Sequence, residues 1–192
     1  MTDWPTREAA QVSDDTSLVE AARGGDRSAY GRLYDRHARM VHGILLARVP
    51  PGEVDDLVQD VFLQALPRLN SLRDAARFGA WLAAIARNRA NDYYRRSRPT
   101  TELTESLPAD QIENRAATSA EMAQASAILA AIRELPDAYR ETLILRLVEG
   151  MTGPEIAART GLTPGSVRVN LHRGMQQLRE KLGASSVKGS LL

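Results

Sequence analysis

Along most of the chain apolar residues recur three and four positions apart, the period of helices that bury one face. The first such stripe is Leu18, Val19 and Ala22, on a helix that can start at Asp14 under an Asp or Thr cap. Residues 1–13 lack the pattern and read as a disordered tail. Gly24-Gly25-Asp26 breaks this helix, and Asp26 can cap a second one bearing Tyr30, Leu33, Tyr34, His37, Val41, Ile44 and Leu45. Pro50-Pro51-Gly52 ends it. A third helix, from near Glu53, carries Val54, Leu57, Val58, Val61, Phe62 and Leu66 and closes at Pro67. A fourth, from about Asp74 to Arg98, turns Phe78, Trp81, Leu82, Ile85 and Ala86 inward. Four such helices suffice for one small bundle.

The period then lapses. Residues 99–119 hold Pro99, Pro108 and many Thr and Ser, the composition of a linker. Across 99–121 five acids (Glu102, Glu105, Asp110, Glu113, Glu121) stand against the single Arg115, so this linker is acidic. Helical period resumes over about Ala120–Glu134 with Met122, Ile128, Leu129 and Ile132. Leu135-Pro136-Asp137 restarts the chain into a helix with Tyr139, Leu143, Ile144, Leu147 and Val148, which Gly150 stops. A short helix over Pro154–Arg159, a turn at Thr160-Gly161-Leu162-Thr163 and a last helix from Pro164 to about Leu182 follow. Residues 184–192 read as a tail. The expected fold is all-α: two small helical domains, 14–98 and 120–183, joined by a flexible linker at 99–119.

Composition narrows the function classes. With 5% aromatics the cores must be built from Leu, Ile, Val and Ala. The absence of cysteine excludes disulfides and cysteine-based zinc sites and suits a reducing cytoplasm. His37, His42 and His172 are scattered and form no metal-ligand pattern. No stretch approaches the roughly 18 apolar residues of a spanning helix, so no membrane insertion is expected. With no phosphate loop and no metal site, no catalytic residue, cofactor or small-molecule substrate is expected, and the chain reads as a non-enzyme. The formal net charge of +1 conceals segregated charge.

Residues 153–181, GPEIAARTGLTPGSVRVNLHRGMQQLREK, carry the most information. Ile156 and the small Ala157 face inward on the first helix, Gly161 suits a left-handed turn, and Leu162 plugs the space between helices. Thr163 is a good N-cap and Pro164 a good first helical residue. Val167, Leu171 and Leu178 then face inward, leaving Ser166, Arg168, Val169, Asn170, His172 and Arg173 outward. That is a helix-turn-helix with a second helix fit for a major groove, where Arg pairs with guanine and Asn with adenine. The bland alternative is a helical hairpin with solvated charges.

Two further signals lie in the first domain. From Leu72 to Arg98 there are seven arginines against two aspartates, with Arg87, Arg89, Arg95, Arg96 and Arg98 crowding the final turns around Tyr93 and Tyr94. Arginines meet phosphates and aromatics stack on unpaired bases; capping of a helix C-terminus by cations is the alternative. Glu53, Asp55, Asp56 and Asp60 sit beside an apolar face in EVDDLVQDVFLQA. An acidic helix on a DNA-binding protein suits a basic protein surface; acids favouring a helix N-terminus are the alternative.

In this order, from about Asp15 to Leu182, these features resemble the extracytoplasmic-function group of the sigma-70 family. LVEAARGGDRSAYGRLYDRHARMV is similar to the start of sigma region two, DDLVQDVFLQAL to its polymerase-binding segment, and FGAWLAAIARNRANDYYRRSR to its promoter-melting, minus-ten-reading segment. The stretch from Leu135 to Leu182 is similar to region four. The resemblance implies a factor that binds core RNA polymerase and promoter DNA and is held by an anti-sigma factor. It implies polymerase contacts at Asp56, Leu57, Gln59, Asp60 and Phe62. It implies minus-ten contacts at Asn88, Asp92, Tyr93, Arg95 and Arg96, with Asn88 reading an unstacked base. It implies minus-thirty-five contacts at Ser166, Arg168, Asn170, His172 and Arg173. The acidic linker would thread the polymerase channels. The recognition helix departs from the group's usual pattern: Val169 replaces a polar residue, Asn170 and Met175 replace basic ones, and Gly174 costs about 1 kcal/mol of helix propensity relative to Ala. A stand-alone helix-turn-helix regulator is the rival reading.

Overall fold

The computed structural model describes the backbone of residues 4–97 and 119–189, and side chains of 14–95 and 124–183. The expected linker therefore lies, except for Ser119, outside the described residues. Among the described residues there are eight α-helices and no strand: α1 (Trp4–Arg23), α2 (Arg27–Leu46), α3 (Val54–Arg68), α4 (Phe78–Ser97), α5 (Ser119–Arg133), α6 (Asp137–Leu147), α7 (Gly153–Thr160) and α8 (Pro164–Gly189).

Helices α1–α4 form the first bundle. Asp26 caps α2, its carboxylate accepting from the Ser28 and Ala29 amides. Asp74 caps the 3-10 turn that leads into α4. The centre is Leu33, Met40, Ile44, Val61, Phe78 and Leu82, all fully buried. Asp15 ties α1 to α2 through His37 Nε2 at 2.9 Å and Arg36 Nη1 at 3.0 Å. Burial pushes the Asp15 carboxyl up, but its bonds to His37 and Arg36 outweigh that and leave it lowered.

The ends of the chain differ from expectation. Helix α1 starts at Trp4, not Asp14, so residues 4–13 are helical rather than tail. Pro5 stands in the first turn, where a missing N–H is harmless, and Glu8, Ala9, Ala10 and Gln11 favour helix. Helix α8 likewise continues to Gly189, because extending an existing helix needs no new nucleus. Three apolar positions also depart. Leu66 is 46% exposed while Ala65 is buried, and Leu147 and Val148 are 48% and 50% exposed while Leu145 is buried.

Helices α5–α8 form the second bundle. Pro136 starts α6, and a Thr152–Glu155 capping box starts α7, Thr152 N donating to Glu155 Oε2 at 2.8 Å. Gly161 ends α7 at φ +77°, the left-handed cap expected of it. Thr163 caps α8 by accepting from the Ser166 amide. Ile156, Ala157, Val167 and Leu178 are buried, with Leu162 and Leu171 packed beside them. Gly174 is where α8 crosses α6: a methyl there would come 3.0 Å from Leu143 Cδ1. Its low helix propensity is thus the cost of close packing. Met175 also turns toward this core and is half-buried, so a lost cation is not its main consequence.

The bundles touch. Helix α2 packs on α6 and α7, and α4 packs on α7.

Candidate nucleic-acid interface

In the helix-turn-helix, α7 supports α8 from beneath. With Val167 and Leu178 turned in, Ser166, Arg168, Val169, His172 and Arg173 are exposed and Asn170 is half-buried at the edge. Ser166, Asn170 and Arg173 share one side of α8, with Val169, 45% exposed, as its apolar element, while Arg168 and His172 lie on the adjoining side. A ridge of that composition can enter a major groove.

A second site lies between α3 and α4. Asn88, Asn91, Asp92 and Arg95 face Gln64 and Arg68 across an open polar cleft of about 430 Å3 floored by Ile85. Asn88 and Arg95 are exposed, and Asp92 and Tyr93 are half-buried. Arg95 Nη2 donates to Asp92 Oδ1 at 2.5 Å. Tyr93 and Tyr94 stack edge to face at 5.5 Å. Arg96 lies on α4, but its side chain is outside the described residues. Amide, carboxylate and guanidinium groups lining one cleft can hydrogen-bond the edge of an unstacked base. Gln64 and Arg68 were not anticipated; they follow α3's i, i+4 period on a face that reads as plain solvated surface until α4 is packed beside it.

The third surface is the outer face of α3. Asp56 and Gln59 are exposed and Asp60 is half-exposed. Leu57 and Phe62, expected to join them, are only 4% and 3% exposed. They are core residues: Phe62 packs on Tyr34 at 4.6 Å, and its carbonyl accepts from Tyr30 Oη at 2.6 Å. Because they sit on the inward stripe, they shape the helix without offering it to a partner. Its apolar part is instead Leu63, 68% exposed, and Leu66. The signal was available, since Asp56, Gln59, Leu63 and Leu66 follow a helical period one position out of phase with the core stripe. Asp60 accepts from Arg89 of α4, so this face and the cleft share an ion pair.

A bundle with such a cleft and face, joined to a helix-turn-helix, matches known families region by region. The chain matches Sigma-70 region 2 over residues 33–100 and Sigma-70, region 4 over residues 125–178. It is 32% identical over 166 residues to the RNA polymerase sigma factor CarQ of Myxococcus xanthus, covering 86% of this chain and 95% of CarQ. It is 34% identical over 170 residues to the ECF RNA polymerase sigma factor BldN of Streptomyces coelicolor, covering 86% of this chain but 64% of BldN. A solved structure of CnrH in complex with the cytosolic domain of CnrY superposes with a TM-score of 0.62 at 27% identity, covering 89% of this chain and 98% of that one. These matches define a sigma factor of the sigma-70 family. Within it, at 30% identity over 181 residues to the ECF RNA polymerase sigma-E factor of Escherichia coli, covering 88% of this chain and 94% of that one, the chain belongs to the extracytoplasmic-function RNA polymerase sigma factors, which are transcription initiation factors and not enzymes. Membership sets aside the stand-alone regulator, which left the first bundle unexplained. No helix among the described residues is long and apolar enough to cross a membrane.

Proposed function

We propose that the work of initiation is divided among three surfaces. The face of α3 made by Asp56, Gln59, Asp60, Leu63 and Leu66 binds core RNA polymerase. Leu57 and Phe62 act from beneath by holding that helix. The cleft between α3 and α4 captures a minus-ten base once strands part, with Asn88 reading its edge and Asp92, Tyr93, Arg95 and Arg96 around it. The ridge of α8, with Ser166, Arg168, Asn170, His172 and Arg173, reads the minus-thirty-five duplex. Base capture offsets part of the free energy of strand opening. The domains that carry these surfaces are residues 14–98 and 120–183, with α1 extending the first toward Trp4. The acidic linker runs through the polymerase between them.

One observation carries the reading: an acidic–apolar ridge and a polar cleft lie side by side on one bundle, linked by Asp60 and Arg89. A protein partner of basic surface and an unpaired strand can then be held at adjacent faces. The factor acts in the cytoplasm, where polymerase and chromosome are. An anti-sigma protein holds it inactive, as suggested by CnrH, whose solved structure is a complex with the cytosolic domain of CnrY. The test is capture of core polymerase by the immobilised chain. The wild-type chain retains core; Leu63→Asp, which alters an exposed residue, loses it while keeping its fold. Equal retention of core by both would remove α3 as the docking face.

A further inference from the structure

Helix α8 points an apolar side chain where base-reading polar groups are expected. It turns Val167, Gly174 and Leu178 inward, all three buried. Successive residues advance about 100° around a helix, so Val169 stands about 160°, 140° and 180° from those three. It therefore points away from the bundle. Among the described residues of α8 it is the exposed large apolar side chain. One turn earlier on the same line is Gly165, and one turn later Arg173. Gly165 carries no side chain, and a methyl built there would meet nothing nearer than Thr163 Oγ1 at 3.9 Å. The approach to Val169 from the N-terminal end of the helix is thus open.

The polar neighbours leave this point to the valine. Ser166 is engaged in the cap: its hydroxyl lies 2.8 Å from Thr163 Oγ1, and its amide donates to that oxygen at 3.1 Å. Asn170 is half-buried at the edge, and Arg168 and His172 lie on the adjoining side. A base pair opposite Val169 therefore meets methyl groups and neither donor nor acceptor. In a major groove the apolar partner for such a surface is the 5-methyl group of thymine. The donors and acceptors of the other base edges would lose water there without a hydrogen bond in return. Valine in a helix is also nearly fixed at χ1, so its methyl groups are already set and little rotamer entropy is lost on contact.

We propose that Val169 is a specificity-determining residue of α8, whose γ-methyl groups pack on the 5-methyl group of one thymine in the upstream promoter element. This rests on the duplex-reading role proposed above for α8. The labour along the outward line is then divided. Gly165 lets the duplex approach, Val169 selects the base pair by its methyl group, and Arg173 supplies the cation.

The test uses holoenzyme assembled from core polymerase and the full chain, on a promoter recovered by run-off transcription of genomic fragments. Each thymine of the upstream element, on either strand, is replaced in turn by deoxyuridine, which lacks only the methyl group. Protection of the element is then titrated. For the wild-type chain one replacement should cost about fourfold in affinity, the factor for one buried methyl group. Val169→Ala removes both γ-methyl groups at an exposed position and raises helix propensity, so the chain keeps its fold. It should bind the thymine and deoxyuridine templates equally. Arg173→Ala should bind both more weakly and keep the fourfold difference between them, closing the comparison as a double-mutant cycle. A wild-type chain indifferent to every replacement overturns the inference, as does a sensitivity that survives in Val169→Ala. In either case weaker protection by Arg173→Ala still upholds α8 as a duplex reader. If Val169→Ala and Arg173→Ala both protect the element as wild type does, the reading role of α8 falls and the inference with it. A folded wild-type chain that yields no promoter overturns the proposed function itself, and this inference with it.

Discussion

The Asp60 carboxylate on α3 accepts a hydrogen bond from the Arg89 guanidinium on α4. One residue of the docking face is thereby tied to the helix that lines the base cleft. Arg89 is largely buried; its Nη2 makes the bond to Asp60, and its Nε has no hydrogen-bond partner. Asp60→Arg sets two cations against each other at that seam, where burial makes repulsion costly. It should lose polymerase capture and also lower stability by about 1–2 kcal/mol. Asp56→Arg, at an exposed position, should lose capture with a melting temperature close to wild type. Pull-down and thermal melting of both variants check the pair; an unchanged melting temperature for Asp60→Arg would count against the seam.

At the interface between the bundles, the hydrogen bond to Glu149 raises the His42 pKa above its usual value of 6.5, opposed by burial and helped at longer range by Asp55. Arg39, also beside Glu149, is the nearby cation. A raised folded-state value means that His42 stabilises the contact fully below pH 6.5 and loses that contribution as pH rises through the raised value. Interdomain proximity should therefore weaken from mildly acidic toward alkaline pH. His42→Gln should flatten the profile. A wild-type profile with the opposite slope would remove His42 from the contact.

Much of this was legible from periodicity and turn chemistry. The stripes Leu18-Val19-Ala22 and Phe78-Leu82-Ile85-Ala86, the Asp26 and Thr163 caps and the Gly161 turn are local, and each is decided within one helical turn of sequence. Leu57 and Phe62 show the limit. Motif resemblance marked them as contacts, while the same period of three and four that identified α3 assigns them to the core. Leu147 and Val148 fail for another reason: they are the last residue and the C-cap of α6, and Leu145, off the expected stripe, packs into the Gly43 notch of the other bundle. The pairing of Glu141 with Arg48 and Arg87 spans 93 and 54 positions of chain, so no local pattern announces it.

Gly174 supplies a stability test within the second bundle. Alanine gains about 1 kcal/mol of helix propensity. Its methyl, however, meets Leu143 at 3.0 Å and the Tyr139 Cβ at 3.2 Å in a close-packed crossing. Overpacking costs about 1–3 kcal/mol, so Gly174→Ala should be net destabilising by about 1 kcal/mol. Urea denaturation monitored by circular dichroism reads this directly; a stabilised variant would mean that Leu143 yields freely.

On α8, Arg173→Ala removes an exposed cation from the ridge while sparing Val167 and Leu178 beneath it. Upstream-element protection should weaken, by about 1–3 kcal/mol if the arginine contacts a base edge. Polymerase capture should not change. Footprinting and pull-down separate the two; loss of capture would mean that α8 contacts polymerase and not DNA alone.

The most direct measurement is run-off transcription by purified core polymerase on a fragmented genomic template, with and without this chain. Core alone should start at random ends, and the wild-type chain should add discrete transcripts from defined starts. Asp56→Arg, Leu63→Asp and Asn88→Ala should each lose those transcripts while remaining folded. Discrete transcripts undiminished in all three variants, or none from a folded wild-type chain on any fragment, would contradict the account.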